Sequence, residues 1–272
     1  MARPIVLIHG MWCTARNWDK VVEGLAARGH RCHVPNLPQH EPGRQDSGIG
    51  AISFAEYRAF LEADIRAQNF DEAPVLIGHS MGGLLAQQLA TVLDPFLVVL
   101  LTPAAPAGIN GLRWSNFVAF FKAMSRWEFW KKAHKPTPAR GSASLYNGIA
   151  PERHAQIYST LVPESGRVLF ELGFWYLDAN HAARLDSKKV RCPVYVVSAG
   201  QDKLTPASVV RKVAQLYPQA ALRHYPDRGH WVIDDEDTEV MVQDIANWIQ
   251  AQDQRAEQMQ KMRRLDRQFA HG

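Results

Sequence analysis

The sequence predicts an α/β protein: a doubly wound, mainly parallel sheet of about six strands, with a helical insertion. Two observations support this prediction. Short apolar runs alternate with longer segments of helical periodicity, which is typical of strands that lie between two layers of helices. This alternation breaks once, between about Pro106 and Asp186, and then resumes. A chain of 272 residues is long enough for one such domain carrying an insertion.

The individual strands and helices follow from local patterns. The expected strands are residues 5–8, 32–34, 75–77, 97–101, 194–198 and 222–225. The expected helices are residues 15–28, 53–69, 83–93, 205–217 and 238–249. Ser53 and Glu56 form a capping box at the start of the second helix. Thr205 is the expected N-cap of the fourth helix, and Pro206 is its first residue.

The break in the alternation defines the domain organisation. Residues 1–105 and 187–250 are predicted to form the α/β core, and residues 106–186 a helical cap or lid. Residues 251–272 are predicted to be a polar C-terminal helix or tail. This last segment is expected to pack on the body or on the second subunit of a homodimer, or to remain in solvent.

Half of the chain's aromatic side chains lie within residues 114–176, inside the predicted cap. Most of them are expected to form a small helical core. Several are also expected to line an apolar pocket over the carboxyl edge of the sheet. The candidates for this pocket are Trp12, Phe117, Phe121 and Trp175.

The composition excludes several classes of protein. The chain has 31 Lys and Arg against 27 Asp and Glu, a net charge of only +4, so nucleic acid is not an expected partner. The longest apolar run, residues 96–101, is far shorter than the ~20 residues that span a bilayer. No secretory leader is apparent, and Cys13, Cys32 and Cys192 are expected to be free thiols. The expected location is therefore the cytoplasm.

The most informative segment is Gly78-His-Ser-Met-Gly82, which matches the pattern G-x-S-x-G. It lies between an apolar strand and an apolar helix, the context in which this pattern forms a sharp turn carrying a nucleophilic serine. Such a turn places the Ser80 hydroxyl at the N-terminus of a helix, where free N–H groups favour negative charge. The alternative is a glycine-rich turn that only closes a βα unit. A phosphate loop is excluded because no Gly-Lys-Ser/Thr sequence follows.

A serine hydroxyl needs a base to remove its proton, and the base needs a carboxylate to orient it. His230 is the best candidate among eleven histidines because its loop follows the last predicted strand and returns to the edge where Ser80 lies. Asp202 follows the preceding strand and faces the same edge. Asp227 is a weaker candidate, since it is only three residues from His230 and is better placed to shape the histidine's loop.

The oxyanion that forms when serine attacks a carbonyl needs N–H donors. One donor is expected to be Met81, directly after the nucleophile, and the other Met11, in the loop after the first strand. Gly10 allows this loop to approach the serine closely. The His9 side chain is expected to support the loop and not to touch substrate.

With these residues in place, the sequence resembles the α/β-hydrolase fold superfamily over nearly its whole length. The resemblance rests on the His9-Gly10 loop, the G-x-S-x-G turn, Gly200-Gln-Asp202, Gly229-His230 and the chain order Ser80, Asp202, His230. The chain starts at what would be the third strand of the family's sheet. The two N-terminal edge strands are therefore expected to be absent.

The resemblance implies a serine carboxylesterase or lipase with a helical cap. Such an enzyme cleaves esters of hydrophobic acyl or aromatic substrates through an acyl-enzyme intermediate, and no metal or organic cofactor is expected. A serine nucleophile argues against the epoxide hydrolases and haloalkane dehalogenases of this fold, which use aspartate.

Three alternatives remain on the same fold. One is a lactonase acting on acyl lactones such as acyl-homoserine lactones. The second is a C–C bond hydrolase or a hydroxynitrile-lyase-like enzyme, since the fold hosts many chemistries. The third is a non-catalytic protein that binds a small ligand, although every position of the expected triad is filled.

Overall fold

The structure is a computed structural model, and it describes residues 3–43, 48–110 and 127–269. Two of the predicted pocket residues, Phe117 and Phe121, lie outside the described residues. Cys13, Cys32 and Cys192 are free thiols. In the described part of the chain, no helix is both long enough and apolar enough to cross a membrane.

The strands of the described chain form two sheets. They are β1 (Ile5–Ile8), β2 (Cys32–His33), β3 (Val75–His79), β4 (Leu97–Leu101), β5 (Ala133–His134), β6 (Glu164–Ser165), β7 (Val194–Ala199) and β8 (Ala221–Tyr225). Six strands form one parallel sheet in the order β2-β1-β3-β4-β7-β8, which confirms the predicted fold class. The other two, β5 and β6, pair antiparallel with each other.

The helices flank this sheet. The longer ones are α1 (Asp19–Ala26), α2 (Phe54–Ala67), α3 (Met81–Leu93), α4 (His154–Thr160), α5 (Gly166–Gly173), α6 (Ala207–Ala214) and α7 (Thr238–Phe269). Short helical turns occur at Ala15–Trp18, Ile49–Ala51, Phe129–Lys131, Pro138–Arg140, Gly141–Leu145, Pro151–Arg153 and Ser187–Lys189. The capping box of α2 is confirmed, because Ser53 Oγ accepts from Glu56 N–H at 3.2 Å and the Glu56 carboxylate accepts from Ser53 N–H at 2.8 Å.

Several helix boundaries differ from the sequence predictions, most clearly those of the first and last helices. The first helix begins as a 3₁₀ turn, and only Asp19–Ala26 is α-helical. The last helix does not end near residue 249 but continues to Phe269. One face of its first part is buried as far as Ile249, whereas Met259 and Met262 are exposed.

Both faces of the large sheet are buried at its four central strands, β1, β3, β4 and β7. In β1, Ile5 and Leu7 pack on the side of α1 and α7, whereas Val6 and Ile8 pack on the side of α2, α3 and α6. Successive side chains of a strand point to opposite faces, so a strand between two helix layers must be apolar at every position. This explains the continuous apolar runs in the sequence.

The strand order places a topological switch point between β1 and β3. After β1 the chain crosses to β2 on one side of the sheet, and it later returns to β3 on the other side. Ligands of doubly wound sheets bind at such points, outside the carboxyl ends of the strands. The loops that follow β1 and β3 carry Met11 and Ser80, so both predicted groups flank this crevice.

The chain between β4 and β7 forms the insertion, of which residues 102–110 and 127–193 are described. It contains α4 and α5, and also the β5–β6 pair, which the sequence did not predict. Leu145, Tyr146, Ile157 and Leu161 of the insertion join the same core cluster as Trp231, the neighbour of His230. The insertion therefore packs against a loop at the carboxyl edge of the sheet.

Candidate active site

Ser80 connects β3 directly to α3 in a strained turn. Its φ is +55°, a value that non-glycine residues rarely adopt. A Cβ atom on Gly78 would lie 2.2 Å from the Gly82 carbonyl oxygen, and one on Gly82 would lie 2.1 Å from the Ile8 carbonyl oxygen. The turn can close only because both positions are glycine, which is the reason for the G-x-S-x-G spacing.

Backbone hydrogen bonds hold this turn from both sides. Ser80 N–H donates to the Leu101 carbonyl at 3.0 Å, and Ala104 N–H donates to the Ser80 carbonyl at 2.8 Å. The end of β4 thus fixes the serine at the carboxyl edge of the sheet. Strained backbone of this kind persists only where surrounding contacts determine it, and it is concentrated at functional sites.

Asp202 and His230 are in direct contact. Asp202 Oδ2 lies 2.8 Å from His230 Nδ1, and both side chains are fully buried. An ionised carboxylate only accepts hydrogen bonds, so Nδ1 carries the ring proton and Nε2 retains its lone pair. Nε2 is buried and has no hydrogen-bond partner among the described residues. The arrangement leaves a basic nitrogen available for a proton.

The Asp202 carboxylate is itself held in place by the chain that follows it. Its Oδ1 accepts hydrogen bonds from the N–H groups of Leu204 and Thr205, each at 2.8 Å. The Thr205 hydroxyl oxygen lies 2.7 Å from Asp202 Oδ2, 3.2 Å from His230 Nδ1 and 2.9 Å from the Thr102 carbonyl oxygen. Thr205 therefore connects the residue that follows β4 with both members of the pair.

This role corrects the prediction that Thr205 caps a helix. The helix α6 begins at Ala207, and its N-cap is Pro206, which has no side chain able to accept a hydrogen bond. The Thr205 hydroxyl is directed instead to the Asp202 and His230 pair. The only signal in the sequence was a hydroxyl residue three positions after the aspartate.

His79 supports the other side of His230. Its Nε2 donates to the His230 carbonyl at 2.9 Å, and the two rings lie 4.8 Å apart. Burial, and after it the neighbouring imidazole of His230, lower the pKa of His79 to about 3. His79 is therefore neutral near neutral pH and does not compete with His230 for a proton. This residue is the second position of the G-x-S-x-G pattern and was not predicted to have a role.

The structure does not bring Ser80 into hydrogen-bonding contact with His230. The Ser80 hydroxyl and His230 Nε2 make no hydrogen bond in the described part of the chain, although the ring of His79, the residue before Ser80, faces His230. Catalytic hydrogen bonds are often long without substrate and shorten when substrate binds. The predicted hydrogen bond between Ser80 Oγ and His230 Nε2 is therefore absent from the described part of the chain.

The predicted oxyanion donors flank the serine. Met81 is the first residue of α3, and the first N–H of a helix has no carbonyl partner within its own helix. Met11 N–H donates no hydrogen bond to any residue that the structure describes. A Cβ atom on Gly10 would lie 3.0 Å from Ser80 Cβ, so the loop after β1 approaches the serine directly, as expected for Gly10.

His9 and Trp12 hold the two ends of this loop. His9 Nε2 accepts from Leu37 N–H at 3.0 Å, and its Nδ1 donates to the Gly10 carbonyl at 2.9 Å. Burial, followed by the proximity of another histidine ring, lowers the pKa of His9 to about 3. Trp12 has a φ of +62°, and its Nε1 donates to the His134 carbonyl at 2.9 Å.

Two of the predicted pocket residues are described. Trp12 is buried in the loop after β1, and Trp175, which follows α5, contacts Tyr176 and packs against the core cluster that contains α2 and α3. Within the described residues, no group of three or more His, Cys, Asp or Glu side chains is placed to hold a metal ion.

Comparison with known proteins identifies the family of the chain. The model of the alpha/beta hydrolase family matches residues 5–243. A pyrethroid hydrolase of Sphingobium wenxiniae is 40% identical over 86 residues, which cover 32% of this chain but only 30% of that protein. A pimeloyl-[acyl-carrier protein] methyl ester esterase of Chromobacterium violaceum is 24% identical over 83% of this chain and 86% of that protein.

A solved structure shows the same fold. The methylesterase from Arabidopsis superposes with a TM-score of 0.70 at 14% identity, over 92% of this chain and 99% of its own. The family match covers most of the sequence, and the six-stranded parallel sheet with its helix layers is consistent with it. The resemblance found in the sequence is thereby confirmed, and the chain belongs to the alpha/beta hydrolase family.

Proposed function

We propose that the protein is a serine hydrolase that cleaves carboxylic esters through an acyl-enzyme intermediate. The observation that carries this proposal is the buried Asp202–His230 pair, whose unpartnered Nε2 lies at the same sheet edge as the strained turn of Ser80. A base, its orienting carboxylate and a serine in a sharp turn are the groups that acyl transfer needs. The names of the similar proteins, a pyrethroid hydrolase and methyl ester esterases, support an ester as substrate.

In the first half-reaction, His230 Nε2 takes the proton of the Ser80 hydroxyl while Oγ attacks the carbonyl carbon of the ester. The carbonyl electron pair moves to oxygen, and the N–H groups of Met11 and Met81 stabilise that negative charge. Asp202 stabilises the imidazolium that has formed. The electron pair then returns, the bond to the alcohol oxygen breaks, and the alcohol leaves with the proton from His230.

In the second half-reaction, water replaces the alcohol. His230 removes a proton from water as the oxygen attacks the acyl-enzyme, and the same N–H groups hold the second oxyanion. The bond between the acyl carbon and Ser80 Oγ breaks, and His230 returns its proton to the serine. The carboxylic acid is released, and the ester and one water molecule are the only reactants consumed.

The surroundings of the site favour hydrophobic acyl or aromatic substrates. Trp12 lies in the loop after β1 that carries Met11, here called the oxyanion loop (residues 9–12). The Tyr146 ring of the insertion contacts Trp231 edge-on, with ring centres 6.4 Å apart. Leu145 and Ile157 belong to the same apolar cluster. Apolar walls with a few polar groups at one end are typical of sites for ligands of this kind.

The test is hydrolysis of p-nitrophenyl esters of increasing acyl length by the wild type, Ser80→Ala and Ser159→Ala. Ser159 is an exposed serine of α4 and serves as the matched control. The proposal predicts turnover by the wild type and by Ser159→Ala, and a loss of roughly 10³-fold or more in Ser80→Ala. Absence of turnover on every ester by folded wild-type protein would contradict the proposal. It would favour C–C bond cleavage or ligand binding instead.

A further inference from the structure

A buried pair of ionisable side chains lies behind the loop that carries Met11, and the reaction described above does not use it. His40 Nε2 and Glu164 Oε2 are 3.2 Å apart, and both side chains are fully buried. His40 belongs to the loop after β2, and Glu164 belongs to β6 of the insertion. The two residues are 124 positions apart in the sequence.

The hydrogen bonds around this pair show where its protons lie. His40 Nδ1 is 3.0 Å from the Pro38 carbonyl oxygen, which can only accept, so Nδ1 carries a proton. Glu164 Oε1 accepts from the Tyr57 hydroxyl at 2.8 Å and from Ser165 N–H at 2.7 Å, the pattern of an ionised carboxylate. His40 Nε2 then donates to Oε2, and the pair is an imidazolium with a carboxylate.

The groups that face His40 are compatible with this charge. Burial by itself would lower the pKa of His40, but the negative charge and the hydrogen bond of Glu164 outweigh it and raise the pKa. The His9 ring lies 5.1 Å away and is neutral, and the Tyr57 ring lies 5.5 Å away in α2. Glu41, in the same loop as His40, adds a further negative charge.

His40 supports the end of the oxyanion loop at which His9 lies. His40 N–H donates to the Leu37 carbonyl at 2.9 Å, and the His40 ring donates to Pro38. The same turn provides Leu37 N–H, which holds His9 Nε2 at 3.0 Å. Displacement of His40 would therefore release the turn on which His9 rests.

Glu164 belongs to the β5–β6 sheet, which supports the end of the oxyanion loop at which Trp12 lies. Glu164 of β6 pairs in register with His134 of β5. The His134 carbonyl accepts the Trp12 indole N–H at 2.9 Å, and Val162 N–H donates to the Trp12 carbonyl at 2.8 Å. Contacts thus run from His9 through His40 and Glu164 to Trp12, and Met11 lies between their two ends.

We propose that the His40–Glu164 ion pair positions the oxyanion loop by joining its two flanks and so holds Met11 N–H where the oxyanion forms. This inference rests on the proposed function, and it makes His40 and Glu164 positioning residues that do not touch substrate. Oxyanion stabilisation depends on donors fixed in advance of the reaction, and loss of one donor costs about 10²–10³ in kcat. If the loop is only more mobile and keeps its donor, the loss is smaller than this. It still appears in kcat and not in KM, because the donor acts on the oxyanion and not on the bound ester.

The test uses Glu164→Gln, which keeps the size of the side chain and can still accept from Tyr57 and donate to a neutral His40. It removes only the ion pair. The matched control is Glu171→Gln, because Glu171 of α5 is equally buried in the insertion but binds Phe54 N–H at 2.7 Å and the Arg167 guanidinium at 2.8 Å. Two readouts are compared: kcat and KM on a p-nitrophenyl ester, and amide hydrogen exchange of the peptide covering residues 9–13.

Glu164→Gln is expected to lower kcat about tenfold or more at a nearly unchanged KM, consistent with the partial loss of one oxyanion donor. It is also expected to speed exchange over residues 9–13, whereas Glu171→Gln does neither. His40→Asn, which keeps a donor to the Pro38 carbonyl but removes the imidazolium, is expected to act in the same direction. It takes the place of Glu164→Gln if that variant does not fold.

The inference is overturned if the folded variant retains both wild-type kcat and wild-type exchange, or if Glu171→Gln matches its effects. The two readouts also separate this inference from the proposed function. If the wild type hydrolyses no ester, the proposed function fails. Exchange over residues 9–13 in the same variants still decides whether the pair positions the loop.

Discussion

Asp202 Oδ2 lies 2.8 Å from His230 Nδ1 in a buried contact, so the carboxylate selects one tautomer of the imidazole. Asp202→Asn replaces the acceptor with an amide that can hold the wrong tautomer, in which Nε2 carries the proton. We expect kcat for ester hydrolysis to fall by about 10⁴-fold while the fold is retained. Steady-state kinetics and a melting curve test this. Asp227→Asn, in the exposed loop before His230, should have near wild-type activity. Equal losses in both variants would contradict the assignment of Asp202.

The hydroxyl of Thr205 is expected to matter for catalysis because it contacts both members of this pair. Thr205→Val removes the hydroxyl that lies 2.7 Å from Asp202 Oδ2 and 3.2 Å from His230 Nδ1. A hydrogen bond to a charged group is worth about 1.5–3 kcal/mol, which corresponds to a loss of roughly ten- to a hundredfold in kcat. Thr205→Ser keeps the hydroxyl and should stay near wild type. A Val variant as active as the Ser variant would show that the contact has no catalytic role.

Close approach of the β1 loop to Ser80 leads to a prediction for Gly10. The Cβ atom of Gly10→Ala would lie 3.0 Å from Ser80 Cβ and 3.2 Å from the His79 carbonyl oxygen, so the loop or the serine must shift. Since misplacement by ~1 Å can cost about a hundredfold, we expect kcat to fall by ten- to a hundredfold. Gly173→Ala is the control, because its Cβ would meet no atom within 4 Å. Unchanged kcat in Gly10→Ala would show that the loop is not close to the reacting groups.

The apolar strands and the serine turn could be predicted because their causes are local. Strands covered on both faces must be apolar at every position, and the turn at Ser80 needs glycine at positions 78 and 82. The contact between Asp202 and His230 could be predicted because the carboxyl ends of parallel strands meet at one edge. The strand order places the loops that follow β3, β7 and β8 at the same edge of the sheet.

The remaining features depend on contacts between distant parts of the chain. His40 and Glu164 are 124 residues apart, and nothing near either residue indicates the other. The hydroxyl of Thr205 had two possible uses, as a helix cap or as a partner of Asp202, and only the start of α6 at Ala207 decides between them. The last helix continues beyond its buried part because no glycine or proline follows Ile249 before the final residue.

Two buried neutral histidines are expected to make the protein sensitive to acid. His9 and His79 have a pKa of about 3 in the folded chain, chiefly through burial, against 6.5 as the ordinary value. Between these values the unfolded chain binds more protons than the folded chain. The free energy of unfolding therefore falls as the pH decreases from about 6.5 to about 3. His79→Gln lacks one titrating ring and should reduce this slope by about 1.4 kcal/mol per pH unit. Denaturant unfolding measured across this range tests the prediction, and an unchanged slope in the variant would contradict it.

The most direct test of the central claim is the mass of the intact protein after treatment with a fluorophosphonate, which forms a covalent bond with an activated serine. We predict a single adduct on the wild type, the same adduct on Ser159→Ala and none on Ser80→Ala. An adduct that persists in Ser80→Ala, or its absence from folded wild-type protein, would contradict the claim that His230 and Asp202 activate Ser80.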